Sequence, residues 1–192
     1  GAYDRALPNS LSVKVTDADG VPFAGVVVTW TLGPFGGGSL SATKDTTNAQ
    51  GLAYTRWSLG EGPDVSLVVY AEVVGLTGSP VTFHAKILPG PPAVLSQGSG
   101  NNQSGGMNAT LTAPLVVMVF DAHGRAVPGV PVTWTVTSGG GSVSGSPVLT
   151  DAGGYSSVTW TLGPTLAANG AAAAAAGTTP ASVGFVATAT GP

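Results

Sequence analysis

Apolar positions along this chain recur in short alternating runs. Val26, Val28, Trp30 and Leu32 fall on one face at period two, and Val130, Val132, Trp134 and Val136 repeat the pattern. Leu11, Val13 and Val15 form a second such stripe, matched by Leu115, Val117 and Val119. Thr55, Trp57 and Leu59 form a third, matched by Val158, Trp160 and Leu162. Further strands are predicted near 65–74 and 80–87, and again near 170–176 and 181–189. Asp17-Ala-Asp-Gly20 and Asp121-Ala-His-Gly124 close the turns after the first stripe, because Asp and Gly supply the backbone geometry of tight turns. Short strands with a turn signal roughly every ten residues predict an all-β fold of immunoglobulin-like sandwiches.

The stripes belong to an internal repeat. Gly25-Val-Val-Val-Thr-Trp30 aligns with Gly129-Val-Pro-Val-Thr-Trp134, and Gly36-Gly-Gly-Ser-Leu40 with Gly139-Gly-Gly-Ser-Val143. Asn48-Ala-Gln-Gly51 aligns with Asp151-Ala-Gly-Gly154, and Trp57-Ser-Leu-Gly60 with Trp160-Thr-Leu-Gly163. A period of about 100 residues is a tandem domain, longer than a solenoid repeat. The predicted organisation is an Ig-like domain over 1–88, a short Pro-rich linker over 89–92 and a second Ig-like domain over 93–192. The prolines of Leu88-Pro-Gly-Pro-Pro92 restrict φ and favour a semi-rigid connector. The run Ala171–Ala176 has helical propensity, yet its repeat partner near Leu67–Val74 is β-branched and apolar, and Gly170 and Gly177 bracket it closely. It is therefore predicted as a strand.

This ordered series of motifs, repeated twice over nearly the whole chain, resembles the bacterial Ig-like group 1 (Big-1) module of invasin- and intimin-type surface proteins. The resemblance implies a β-sandwich used outside the cell as a spacer or adhesive unit. It brings no shared catalytic residues.

Charged residues make up 8% of the chain, against about 25% in an ordinary soluble domain, while hydrophobic residues reach 43%. A folded chain with so few charges repels its neighbours weakly, which suits dense assemblies. Six Lys+Arg and a net charge of −3 give no basic stripe for nucleic acid. No cysteine is present, so disulfides and thiolate metal sites are excluded. No apolar run reaches the roughly 20 residues of a membrane-spanning helix.

Few residues offer chemistry. Asp17-Ala-Asp19-Gly20 invites a calcium reading, but its repeat partner places His123 at the position of Asp19, so a turn is favoured. His84 and His123 lie in separate copies, and no nucleophile–base pair, zinc set or phosphate loop is present. Catalysis and a cofactor are not expected. Trp30, Trp57, Trp134 and Trp160 recur at matching positions and are assigned to the core. Tyr3, Phe35, Tyr70 and Tyr155 do not recur and are the candidate contact aromatics.

Two features point to assembly. Val116, Met118 and Phe120 lie opposite the Leu115/Val117/Val119 stripe, where the first copy has Ser12, Lys14 and Thr16. A strand apolar on both faces is covered by something: a subunit contact, or the loop 98–108 of its own module. The second feature is the start of the first copy, where six residues precede Leu7, against 18 (93–110) before Leu111. The strand predicted at Ala93–Gln97 has no counterpart there, so the first copy has an open sheet edge. A shortened array, or strand addition from a neighbour, would account for it.

The expected function is a structural subunit or stalk of a bacterial cell-surface or extracellular fibre, assembling through sheet edges and apolar faces. The alternative is an adhesin fragment binding a host receptor or glycan through its loops. Expected partners are copies of itself or further Ig-like modules, with a surface receptor or glycan as the other option, and no nucleic acid.

Overall fold

The computed structural model describes residues 6–34, 37–60 and 66–191. Tyr3 and Phe35 lie outside the described residues. The chain divides into two compact units, Gly1–Leu88 and Pro89–Pro192.

The first unit contains β1 (Leu11–Lys14), β2 (Val27–Leu32), β3 (Ser39–Leu40), β4 (Lys44–Thr46), β5 (Leu52–Thr55), β6 (Trp57–Ser58), β7 (Ser66–Glu72) and β8 (Val81–Lys86). One sheet has the order β4-β2-β7-β8, while β1 pairs with β5 and β3 with β6. Period-two alternation puts Val28 and Trp30 of β2, and Leu67, Val69 and Ala71 of β7, into one core with Trp57 and Leu59. Trp30 packs against Phe83 of β8 with ring centroids 5.9 Å apart.

The second unit contains β9 (Val94–Ser99), β10 (Gln103–Gly106), β11 (Leu115–Phe120), β12 (Pro131–Ser138), β13 (Gly141–Val143), β14 (Val148–Leu149), β15 (Tyr155–Val158), β16 (Trp160–Leu162), β17 (Ala167–Ala175) and β18 (Ser182–Thr190). Its sheets run β10-β18-β17-β12-β14, β15-β11-β9 and β13-β16. The alanine tract is strand: β17 pairs with β12 and β18, and Ala171, Ala173 and Ala175 are buried. Each small side chain leaves room opposite for the indole of Trp134, which pairs with Ala173 and packs on Phe185 at 5.7 Å. Packing and ladder bonds here override alanine's helical propensity.

Residues 89–92, read from sequence as a linker, group with the second unit. The Gly90 N–H donates to Asp121 Oδ2 at 2.9 Å, and the next residues lead into β9, where the Ala93 N–H donates to the Phe120 carbonyl at 2.8 Å.

One glycine in each of the two glycine-rich bends serves a close backbone crossing. Gly38 and Gly141 have φ of 103° and 92°, and a Cβ on either would collide with the backbone of the partner strand, at Ser58 O and Thr161 O respectively. That requirement explains why a glycine recurs just ahead of β3 and at the start of β13.

Candidate interaction surfaces

The face of β11 turned away from the second unit's core carries Val116, Met118 and Phe120, all half-buried. β11 is the central strand of its sheet, so neighbours flank these side chains on both sides. Met118 stands opposite Tyr155 of β15 and Ser96 of β9, Phe120 opposite Val94, and Val116 opposite Ser157 and Ser99. Cross-strand partners project to the same face. Tyr155 is 44% exposed and Val94 40%. Met118, Phe120, Val94 and Tyr155 therefore form one apolar strip with small polar serines at its margins.

The central part of the loop 98–108 runs to the other sheet. Within it, β10 joins the opposite sheet, pairing in parallel with β18 (Gln103↔Ala187 to Gly106↔Thr190). The crossing is held by Gln97, whose Nε2 donates to the Gly184 carbonyl at 2.6 Å, and by Asn101, whose Oδ1 accepts the Val186 N–H at 2.8 Å. Glycines at 98, 100, 105 and 106 let the chain pass close to its neighbours, and Gly100 lies against the Pro114 carbonyl. Residues 98 and 99 of the loop, the end of β9, lie beside Val116, while β10 leaves for the other sheet. Of the other candidate contact aromatics, Tyr70 is half-buried in β7; the histidine His84 is exposed on β8.

All four tryptophans are buried: Trp57 and Trp160 completely, Trp30 and Trp134 to 1% and 3% exposure. Their polar atoms are treated unequally. The Trp134 N–H donates to Ser156 Oγ at 3.1 Å and the Trp57 N–H to the Gly37 carbonyl at 3.2 Å. The indole nitrogens of Trp30 and Trp160 have no hydrogen-bond partner.

The acidic turns are committed to backbone. Asp17 Oδ1 accepts the N–H groups of Asp19 and Val21 at 3.0 and 2.9 Å. Asp121 Oδ1 accepts those of His123 and Arg125 at 2.8 and 2.9 Å. Asn48 and Asp151 build the same turn. Each side-chain oxygen so engaged stabilises a turn by local side-chain to backbone bonding. Among the described residues no three His, Cys, Asp or Glu side chains gather to hold a metal.

Asp121 is special within this set because it is 1% exposed. Burial alone would raise its pKa. The N–H groups of Gly90, Arg125 and His123, with the Arg125 guanidinium 3.8 Å away, outweigh that and hold it below the ordinary carboxylate value.

Two threonines escaped the sequence reading. Thr47 and Thr150 are buried, each accepting a backbone N–H (Val26, Val130) and donating to a carbonyl (Phe23, Val127). Both stand immediately before the Asn/Asp-x-x-Gly motif, and that recurrence was the available signal.

Among the solved structures similar to the chain, two align over 99% of it. InvD of Yersinia pseudotuberculosis is 18% identical with a TM-score of 0.64, and the Escherichia coli adhesin FdeC is 16% identical with a TM-score of 0.56. The chain shares the fold of these two proteins. It spans 55% of the InvD structure's length and 61% of the FdeC structure's, so it corresponds to part of each. Residues 1–80 match the family model of the macroglobulin domain MG4. That match is confined to the first unit, and its description differs from the group 1 module that the motifs resemble. No curated protein sequence matches the chain. Among the described residues no helix is long and apolar enough to cross a membrane.

Proposed function

We propose that this chain is a non-catalytic Ig-like segment of a bacterial cell-surface adhesin, of the group 1 type, acting outside the cell. Its units serve as spacers, and the Met118/Phe120/Tyr155 strip of the second unit makes its protein contact. The observation that carries the reading is the fold similarity over 99% of the chain to an E. coli adhesin. The turns and buried tryptophans support it, because the side chains that chemistry would need are engaged in holding the fold.

The apolar strip also favours a second reading, a structural fibre subunit whose copies, or further Ig-like modules, meet at this face. Electron microscopy of the purified chain, combined with binding to host-cell surfaces and glycan arrays, separates the two. Monomers that bind a receptor or glycan are the expected result. Regular filaments without such binding would transfer the assignment to the fibre.

A further inference from the structure

In the second unit β10 stands at the margin of its five-stranded sheet and pairs, among the described residues, with β18 alone. Sheet margins are normally blunted by charge, proline or brevity, because their unpaired backbone groups invite another chain. The opposite margin, β14, has two residues and follows Pro147. β10 has four residues, none of them charged or proline. Little charge lies anywhere near, since Asp121, Arg125 and Asp151 are the only Asp, Glu, Lys or Arg from 89 to 192.

An asparagine stands beyond each end of β10: Asn102 directly before it and Asn108 two residues after it. Of the chain's six asparagines, these are the two with a hydroxyl residue two positions on, in Asn102-Gln-Ser104 and Asn108-Ala-Thr110. Both are exposed. Among the described residues they are also the two non-glycines with positive φ, at 59° and 57°. Their backbones are held: the Asn102 N–H donates to the Val186 carbonyl at 2.9 Å, and the Ala109 N–H closes the Asn108 turn onto the Gly106 carbonyl at 3.1 Å. Their side-chain amides form no hydrogen bond. Asn48, Asn101 and Asn169, by contrast, commit their side chains to the fold.

A left-handed turn favours asparagine, and so accounts for that residue at both positions. It makes no demand on the residue two places later. Ser104 is exposed with an unbonded hydroxyl, and Thr110 is exposed and shares one surface bond with Thr161 Oγ1 at 2.8 Å. An exposed asparagine with a hydroxyl at that spacing is the pattern that N-glycosyl transfer reads. A sugar at each end of β10 would bring to this margin the hydrated bulk that its own residues lack.

We propose that Asn102 and Asn108 are acceptor sites for N-linked sugar. The donor is an activated sugar, a glycosyl diphosphate. The asparagine Nδ2 bonds to the anomeric carbon, and the bond from that carbon to the diphosphate oxygen breaks. The diphosphate leaves with the bonding pair, and one amide proton passes to a base of the transferase. The inference rests on the second unit's own geometry and does not depend on what the chain binds.

The test incubates the folded 192-residue chain with UDP-glucose and a sequon-reading N-glucosyltransferase, already shown to modify peptides of residues 98–106 and 104–113. Intact mass should rise by two hexoses, and peptide mapping should place them on Asn102 and Asn108. Asn102→Gln and Ser104→Ala should each remove the first hexose, and Asn108→Gln and Thr110→Ala the second. The two alanine variants leave the left-handed asparagines in place, so their losses report the sequon and not a disturbed turn. A folded chain that takes no hexose, transfer that survives Ser104→Ala and Thr110→Ala, or hexose on Asn9, Asn48, Asn101 or Asn169 in their place would each overturn the proposal.

Discussion

Ser156 Oγ accepts the indole N–H of Trp134 at 3.1 Å, and the same hydroxyl donates to the Val148 carbonyl at 3.2 Å. At the matching register position, opposite Val13 where Ser156 stands opposite Val117, the first unit has Ala53, and the Trp30 N–H is left without a partner. A buried donor left unpaired costs about 1–3 kcal/mol. Ser156→Ala should therefore destabilise the second unit by about that amount, whereas Ala53→Ser should stabilise the first by about 1 kcal/mol. Native-state hydrogen exchange of the core amides of β2 and β12 reads each unit separately. No gain at β2 on Ala53→Ser would mean that the new hydroxyl does not reach the Trp30 indole.

The Asp121 carboxylate gives the second unit a specific acid response. Its folded pKa is depressed, so its contribution is fully present above the unfolded value of 3.8 and fades as pH falls through the lower folded value. Asp121→Asn should lower stability by about 1–2 kcal/mol at neutral pH, with the gap to the parent narrowing below about pH 3.8. Urea midpoints measured across that window check the sign. A gap independent of pH would assign the effect to packing in place of charge.

Glycine substitutions should divide sharply. At Gly141 a methyl group would enter the space of the Thr161 carbonyl, so Gly141→Ala should cost about 3 kcal/mol or more. At Gly124 the φ is also positive, at 75°, but nothing lies within 4 Å, so Gly124→Ala should cost only about 1 kcal/mol of backbone strain. Thermal unfolding of the two variants provides the comparison, and similar losses would show that dihedral strain alone sets the requirement.

Phe120→Lys probes the outward strip. Phe120 is half-buried and lies on the face opposite Val119, so the change should leave the unfolding free energy from urea titration nearly unaltered, within about 1 kcal/mol. Binding to the cell surface, or self-association measured by sedimentation at high concentration, should fall markedly. Unchanged binding and association would remove this strip from the proposed contact.

Strand patterning was largely legible because alternation at period two is a local property. The stripes through Trp30 and Trp134 and the strand character of Ala171–Ala175 follow from it once the two copies are aligned. What alignment could not supply were relationships carried by single side chains across the fold. Ala53 and Ser156 are both small residues in a strand, and nothing local says that one of them meets an indole. The exchange of sheets between β9 and β10 was hidden for a related reason: Gln103-Ser-Gly-Gly106 has no hydrophobic alternation, and its pairing partner lies more than 80 residues away in β18. From the sequence alone, the loop 98–108 and a subunit contact are both available as cover for Val116, Met118 and Phe120. The attachment of Gly90 to Asp121 was equally invisible, since a proline-rich stretch reads as connector whatever it touches.

The parallel pairing of β10 with β18 bears on how the second unit withstands pulling. The chain enters the unit through β9, which is bonded to β11, and then reaches β10; because β10 and β18 run in the same direction, tension carried to this pair from opposite ends drags the two strands past each other lengthwise. Gln103 through Gly106 must then give way together against Ala187 through Thr190, in shear, whereas an antiparallel pair would peel open one rung at a time. Four register pairs loaded at once form a mechanical clasp.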